Sequence, residues 1–155
     1  MIKATPDNAD WFAEHIRTYL ETDGREGHYI DLSGLGGKGP TQSLLLKTIG
    51  RKSGKVSILP LIYGTFGDEY AIIASKGGAP THPAWFLNLE AADQVAFQVA
   101  RDHFVGTWRL AEGAERDAVW AEMANLYPPY TAYAEATTRR IPVVLLKPTA
   151  TTERL

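Results

Sequence analysis

The sequence predicts an α+β chain, mainly β, whose strands close fully or partly into a barrel with helices at its periphery. Two observations carry that expectation. Roughly six short runs of apolar and β-branched residues are separated by glycine-rich turns. Helical periodicity falls before and between those runs, not in strict alternation with them, which disfavours a doubly wound parallel sheet.

The elements follow in chain order. Pro6-Asp7 opens a helix in which Asp7 is the candidate cap, and Trp11, Phe12, His15, Ile16, Tyr19 and Leu20 recur on one face. Thr22 to Pro40 holds six glycines and reads as an irregular loop or lid. Strands are expected over 43–49, 56–63 and 70–75, joined by the turns 50–54 and 64–68. Pro83 starts a short helix to about Leu89. Residues 94–100 and 104–110 read as a hairpin around Arg101-Asp102. Residues 114–127 are helical, with Val119, Trp120, Met123, Leu126 and Tyr127 as the buried stripe. Pro128-Pro129 ends that helix, a short turn or helix carries Tyr130 and Tyr133, and 141–147 is the last strand.

The 155 residues fit one domain, with 1–40 closing one side of the barrel. A formal charge of −2 argues against a nucleic-acid partner, which requires a basic surface. Cysteine is absent, which removes disulfides, thiolate nucleophiles and cysteine-ligated metals. The four histidines lack metal-ligand spacing, so no metal is expected. The N-terminus has no apolar signal segment and no run is long enough to insert stably in a membrane, so a cytoplasmic protein is expected.

Three segments carry candidate chemistry. The turn Gly50-Arg51-Lys52-Ser53-Gly54-Lys55 offers backbone N–H groups and charged donors suited to an anionic tail; by itself it reads more readily as a solvated hairpin turn. Ala74-Ser75-Lys76-Gly77-Gly78-Ala79-Pro80 ends a strand with two glycines that let a flat ligand approach the backbone, and Trp85 and Asn88 follow, three apart on a helix. By itself that is as readily a strand-to-helix connection. Tyr127, Tyr130 and Tyr133 can wall an aromatic ligand, or simply pack.

Taken in order, Thr48–Gly54, the ASKGGAP-x-HPAW-x-LN block over 74–88, Tyr127–Tyr133 and Arg140-Ile141-Pro142-Val143-Val144 resemble the deazaflavin (coenzyme F420)-dependent nitroreductase and quinone reductase family. The resemblance covers roughly residues 40–148. It implies a split β-barrel of the FMN-binding-like kind and hydride transfer from reduced coenzyme F420 to a quinone, enone or nitro compound. It places the cofactor's phosphate and acidic tail on Leu46, Lys47, Arg51, Lys52, Ser53, Gly54 and Val56. It sets the deazaflavin ring against Ala74, Ser75, Lys76, Gly77, Gly78, Ala79 and Pro80, with Trp85 and Asn88 behind. Ile62, Tyr63, Tyr127, Tyr130 and Tyr133 would meet the acceptor, with Tyr130 and Ser75 as the catalytic candidates. The alternatives are an FMN-dependent reductase on the same fold and a non-catalytic carrier of a hydrophobic ligand. A small-molecule partner and a monomer or homodimer are expected.

Overall fold

The computed structural model describes residues 1–155. Eight strands form one curled antiparallel sheet: β1 (Tyr29–Asp31), β2 (Pro40–Ile49), β3 (Val56–Ile62), β4 (Gly64–Phe66), β5 (Glu69–Ile73), β6 (Val95–Val99), β7 (Asp102–Leu110) and β8 (Val143–Thr151). Four α-helices accompany them: α1 (Asp10–Glu21), α2 (Ala84–Glu90), α3 (Gly113–Leu126) and α4 (Pro129–Ala136). The sheet runs β1-β2-β6-β7-β8-β5-β4, and β3 also pairs with β2. Although β3 and β4 follow each other in the chain, they are not hydrogen-bonded neighbours, so the barrel stays open at a seam between β3 and β5.

Alternation along the strands divides the apolar residues into two cores. Leu44, Leu46, Ile72, Phe97, Val144 and Leu146 fill the barrel with Trp85, Phe86 and Leu89 of α2. Ala71, Ile73, Val143 and Leu145 face outward and are covered by Val119 and Met123 of α3 and by Tyr127 and Tyr130. Both faces of β8 are thus buried at its start, which is why Val143-Val144-Leu145-Leu146 is an unbroken apolar run.

The N-terminal segment is tied to the barrel through polar groups. The Tyr19 hydroxyl donates to the Ser43 carbonyl at 2.9 Å and accepts from the Ala100 N–H at 2.8 Å. His15 Nε2 bonds the Gly27 carbonyl at 2.7 Å, and the Ser43 hydroxyl donates to the same oxygen at 3.0 Å.

Several expectations are corrected. Helix α1 begins at Asp10, and Asn8 Oδ1, not Asp7, accepts the Asp10 N–H at 3.1 Å. Phe12 and Leu20 are exposed, so only part of the expected apolar face is buried. The 22–40 stretch contains β1 and a 3₁₀ turn at Ser33–Leu35, and 64–66 is strand β4. No helix is long and apolar enough to cross a membrane.

Candidate functional site

Beyond β5 the chain forms a ledge. Ser75 is right-handed (φ −80°, ψ −38°), and Lys76, Gly77 and Gly78 then take φ of 47°, 63° and 83°. That region strains the non-glycine Lys76 by about 1 kcal/mol. The two glycines serve different ends. A Cβ on Gly78 would lie 2.8 Å from the Tyr133 carbonyl oxygen, so this residue lets the ledge pack against α4. A Cβ on Gly77 would meet nothing within 4 Å, so this residue faces open space.

That space is a cleft of about 290 Å³ at the barrel seam. Ser75, Lys76 and Gly77 form one side, with Pro83 and Trp85 at the start of α2. Tyr127, Tyr130 and Tyr133 line it as well, together with Pro60, Leu61 and Ile62 of β3. The remaining wall comes from the first forty residues: Trp11, His15, Ile30, Leu32 and Leu35. The sequence marks none of these five as a site residue. Trp11 and His15 lie on the apolar face of α1, but only the tertiary fold lays that face on the cleft.

The tyrosines form a connected edge-to-face and tilted group, with Tyr127 and Tyr130 rings 5.1 Å apart and the Tyr127 and Tyr133 hydroxyls at 3.4 Å. The Tyr130 hydroxyl has no hydrogen-bonding partner in the chain. Burial, reinforced by the neighbouring Tyr127 and Tyr133, pushes its pKa far above the usual phenol value. Tyr130 therefore presents a protonated O–H to the cleft at neutral pH.

The β2–β3 turn closes with the Gly50 N–H on the Lys55 carbonyl (2.8 Å) and the Gly54 N–H on the Gly50 carbonyl (2.9 Å). Arg51 donates from its backbone N–H and from Nη1 to Asn88 Oδ1, at 3.1 and 2.9 Å. Lys52, Ser53, Gly54 and Val56 stay exposed. Beside the turn a second hollow, about 210 Å³, is lined by Lys47, Thr48, Asn88 and Gln94. The Thr48 hydroxyl is buried there without a partner.

Helix α2 links the two regions: Trp85 faces the cleft and Asn88 the hollow. The turn after β2 and the ledge after β5 lie at the same end of the barrel, because each pairing from β2 through β6, β7 and β8 to β5 is antiparallel and so β2 and β5 run the same way. Curvature and α2 bring them together. Leu46 and Ala74 are fully buried, so neither side chain is open to a ligand. The Ala79 carbonyl is engaged by Arg139 at 2.8 Å, and neither Ala79 nor Pro80 lines the cleft. Tyr63 is turned away: its hydroxyl bonds His28 Nε2 at 2.6 Å, its ring packs on Tyr70 at 5.6 Å, and burial pushes its pKa up to about 12. Ile62 alone of that pair lines the cleft.

Comparison with known proteins agrees with this architecture. A quinone reductase of Mycobacterium tuberculosis, described as F420H(2)-dependent, is 37% identical over 135 residues, covering 85% of this chain and 86% of the relative. A solved F420-H2 dependent reductase is 39% identical with a TM-score of 0.62, covering 68% of this chain and 93% of its own. Another chain at 39% identity and TM-score 0.62, covering 68% of this chain and 79% of its own, was solved as a domain-swapped dimer. The haem storage protein HutZ of Vibrio cholerae, 14% identical with a TM-score of 0.54 over 87% of this chain and 91% of that one, shares the split-barrel fold alone. The profile of the F420H(2)-dependent quinone reductases matches residues 11–148. The chain belongs to the F420H(2)-dependent quinone reductase family.

Proposed function

We propose that this protein transfers a hydride from reduced coenzyme F420 to a quinone bound in the seam cleft, and that activated alkenes and nitro compounds are further acceptors. Family membership makes the chain an F420H2-dependent oxidoreductase with coenzyme F420 as its cofactor. The observation that carries the site reading is the ledge of Ser75, Lys76 and Gly77 sharing one cleft with Tyr127, Tyr130 and Tyr133.

The residues present fit a flat ring with an anionic tail. Gly77 leaves room above the backbone, and the Tyr130 hydroxyl has no partner in the chain. The orphaned Thr48 hydroxyl lies beside Lys47, next to the cationic turn. When bound, the cofactor supplies the hydride; the protein supplies binding, orientation and polarisation. In this reading Lys47, Lys52, Ser53 and Gly54 hold the tail, and Arg51, fixed by Asn88, orients the turn. Ser75, Lys76, Gly77 and Gly78 form the ring ledge with Trp85 beside it.

The Tyr130 O–H donates to the acceptor oxygen, where negative charge develops, and the proton that completes the reduction comes from Tyr130 or from water. Ile62, Tyr127 and Tyr133 flank the acceptor, and Trp11, Ile30, Leu32 and Leu35 exclude water from that side. The cleft offers little to a haem carrier. His15, the histidine that lines it, has Nε2 engaged by Gly27 and Nδ1 buried.

Titration with F420 and with FMN, followed by turnover of a short-chain naphthoquinone, tests the proposal. Binding and oxidation of reduced F420 are expected; tight FMN binding without F420 turnover would overturn it. Lys52→Ala should weaken F420 roughly ten- to a hundredfold at low salt, as loss of one charged hydrogen bond does, with a smaller effect at high salt.

A further inference from the structure

Behind the ledge, Arg139 makes four hydrogen bonds to one short segment. Its Nε donates to the Ala79 carbonyl at 2.8 Å, Nη1 to the Ala74 carbonyl at 3.2 Å, and Nη2 to the Ser75 carbonyl at 2.6 Å. Nη1 also meets His82 Nδ1 at 3.0 Å; since a guanidinium only donates, Nδ1 is the acceptor and the imidazole proton sits on Nε2. The bonds bracket residues 74–82, and the left-handed Lys76, Gly77 and Gly78 lie inside the bracket. Arg139 is half-buried and forms no salt bridge, so neutral acceptors alone hold its charge. A lysine, with a single ammonium head, cannot span this set of acceptors.

The placement matters because of what lies on the other side of the same peptides. The 3₁₀ turn's own bonds run from the Gly78 N–H to the Ser75 carbonyl and from the Ala79 N–H to the Lys76 carbonyl. The N–H groups of Ser75, Lys76 and Gly77 are left free of them, and all three residues line the cleft. A right-handed residue followed by a left-handed one turns successive N–H groups to one side, as a nest for an electron-rich oxygen. The Ala74 carbonyl shares its peptide with the Ser75 N–H, and the Ser75 carbonyl shares its peptide with the Lys76 N–H. A cation on each carbonyl polarises the peptide and makes its N–H a stronger donor.

We propose that Arg139 is a positioning residue: it locks the ledge in its nest conformation and strengthens the Ser75 and Lys76 N–H groups as donors to a carbonyl oxygen of the bound ring. This rests on the reading that the ledge holds the cofactor. Arg139 acts through backbone that it shapes, not by touching the reacting atoms.

Arg139→Lys and Arg139→Ala test it, with amide proton shifts of the cofactor-free protein as one readout and F420 affinity as another. Both variants should move the Ser75 and Lys76 amide protons upfield. Both should weaken F420 roughly tenfold or more, as loss of charge-assisted bonds does. In steady state kcat should fall while the quinone KM stays within about threefold, and methylguanidinium should restore part of the affinity of Arg139→Ala. Unchanged amide shifts together with unchanged F420 affinity in Arg139→Lys would overturn the assignment. So would a loss of binding that merely tracks a loss of folded protein in both variants, because Arg139 would then hold the fold rather than the nest. If the wild type itself fails to bind F420, the cofactor reading falls and with it the role toward the ring, while the amide shifts still report on the nest.

Discussion

Tyr130→Phe deletes one oxygen from the cleft and leaves the packing around it in place. The ring contacts to Tyr127 at 5.1 Å and to Trp120 and Tyr133 at 6.2 Å between centroids are all available to phenylalanine. The hydroxyl has no partner in the chain, so no buried donor or acceptor is orphaned by its loss. Unfolding free energy should therefore stay within about 0.5 kcal/mol of the wild type, and F420 affinity within about twofold. The transition state is where the oxygen counts. A hydrogen bond to an oxygen that is gaining charge contributes about 1.5–3 kcal/mol, so kcat for naphthoquinone should fall roughly ten- to 150-fold. A fall toward 10²–10⁴, about the range for general acid catalysis, would point to proton donation as well as polarisation. Stopped-flow oxidation of bound reduced F420, measured beside thermal unfolding, gives both numbers on one sample. Because burial raises the Tyr130 pKa far above its ordinary value, the wild type should show no alkaline limb from this residue in the neutral range. A kcat unchanged within a factor of two, or a neutral-range limb that disappears in the variant, refutes the assignment.

The paired ledge variants separate packing from ligand access. Gly78→Ala should destabilise by about 1–3 kcal/mol, because it adds a Cβ 2.8 Å from the Tyr133 carbonyl at a positive φ, whereas Gly77→Ala should cost about 1 kcal/mol and act mainly on F420 affinity. Equal melting temperatures for the two would contradict the geometry. Tyr63 has its pKa raised by burial, so its contribution is present below the free phenol value and is lost as pH rises through the folded one, about 12. Unfolding free energy should drop by about 2–3 kcal/mol from this residue across that window, and Tyr63→Phe should flatten the alkaline fall even though it loses the His28 bond at neutral pH. Thr48→Val removes a buried hydroxyl with no partner, so thermal stability should hold or rise while F420 affinity drops several-fold; unchanged affinity would place the cofactor tail outside that hollow.

The long strands and helices were legible because their evidence is local. Alternation in β6, the stripe on α3 and the proline at the start of α2 each specify an element without reference to the rest of the chain. β1 and β4 were not, since Tyr29–Asp31 and Gly64–Phe66 are too short for a period and exist only as partners of β2 and β5. Among the site residues, the ledge and the tyrosines stood out by composition, and the structure brings Ser75, Lys76, Gly77, Trp85 and the three tyrosines to one cleft. Arg139 carried no such signal: a lone arginine near a second one reads as surface charge until its four acceptors are seen.

Residue order was thus enough for the mainly β architecture, for the absence of thiol chemistry, and to mark the segments proposed to meet an anionic tail and a flat ring. Tertiary structure decided which faces those segments present. It turned Tyr63 into the barrel, laid Trp11 and Leu32 along the cleft, and set a guanidinium behind the ledge. The physical reason is range. Propensity and periodicity act over a few residues, whereas the cleft is built from β3, β5, α1 and α4, which meet only after the sheet has curled.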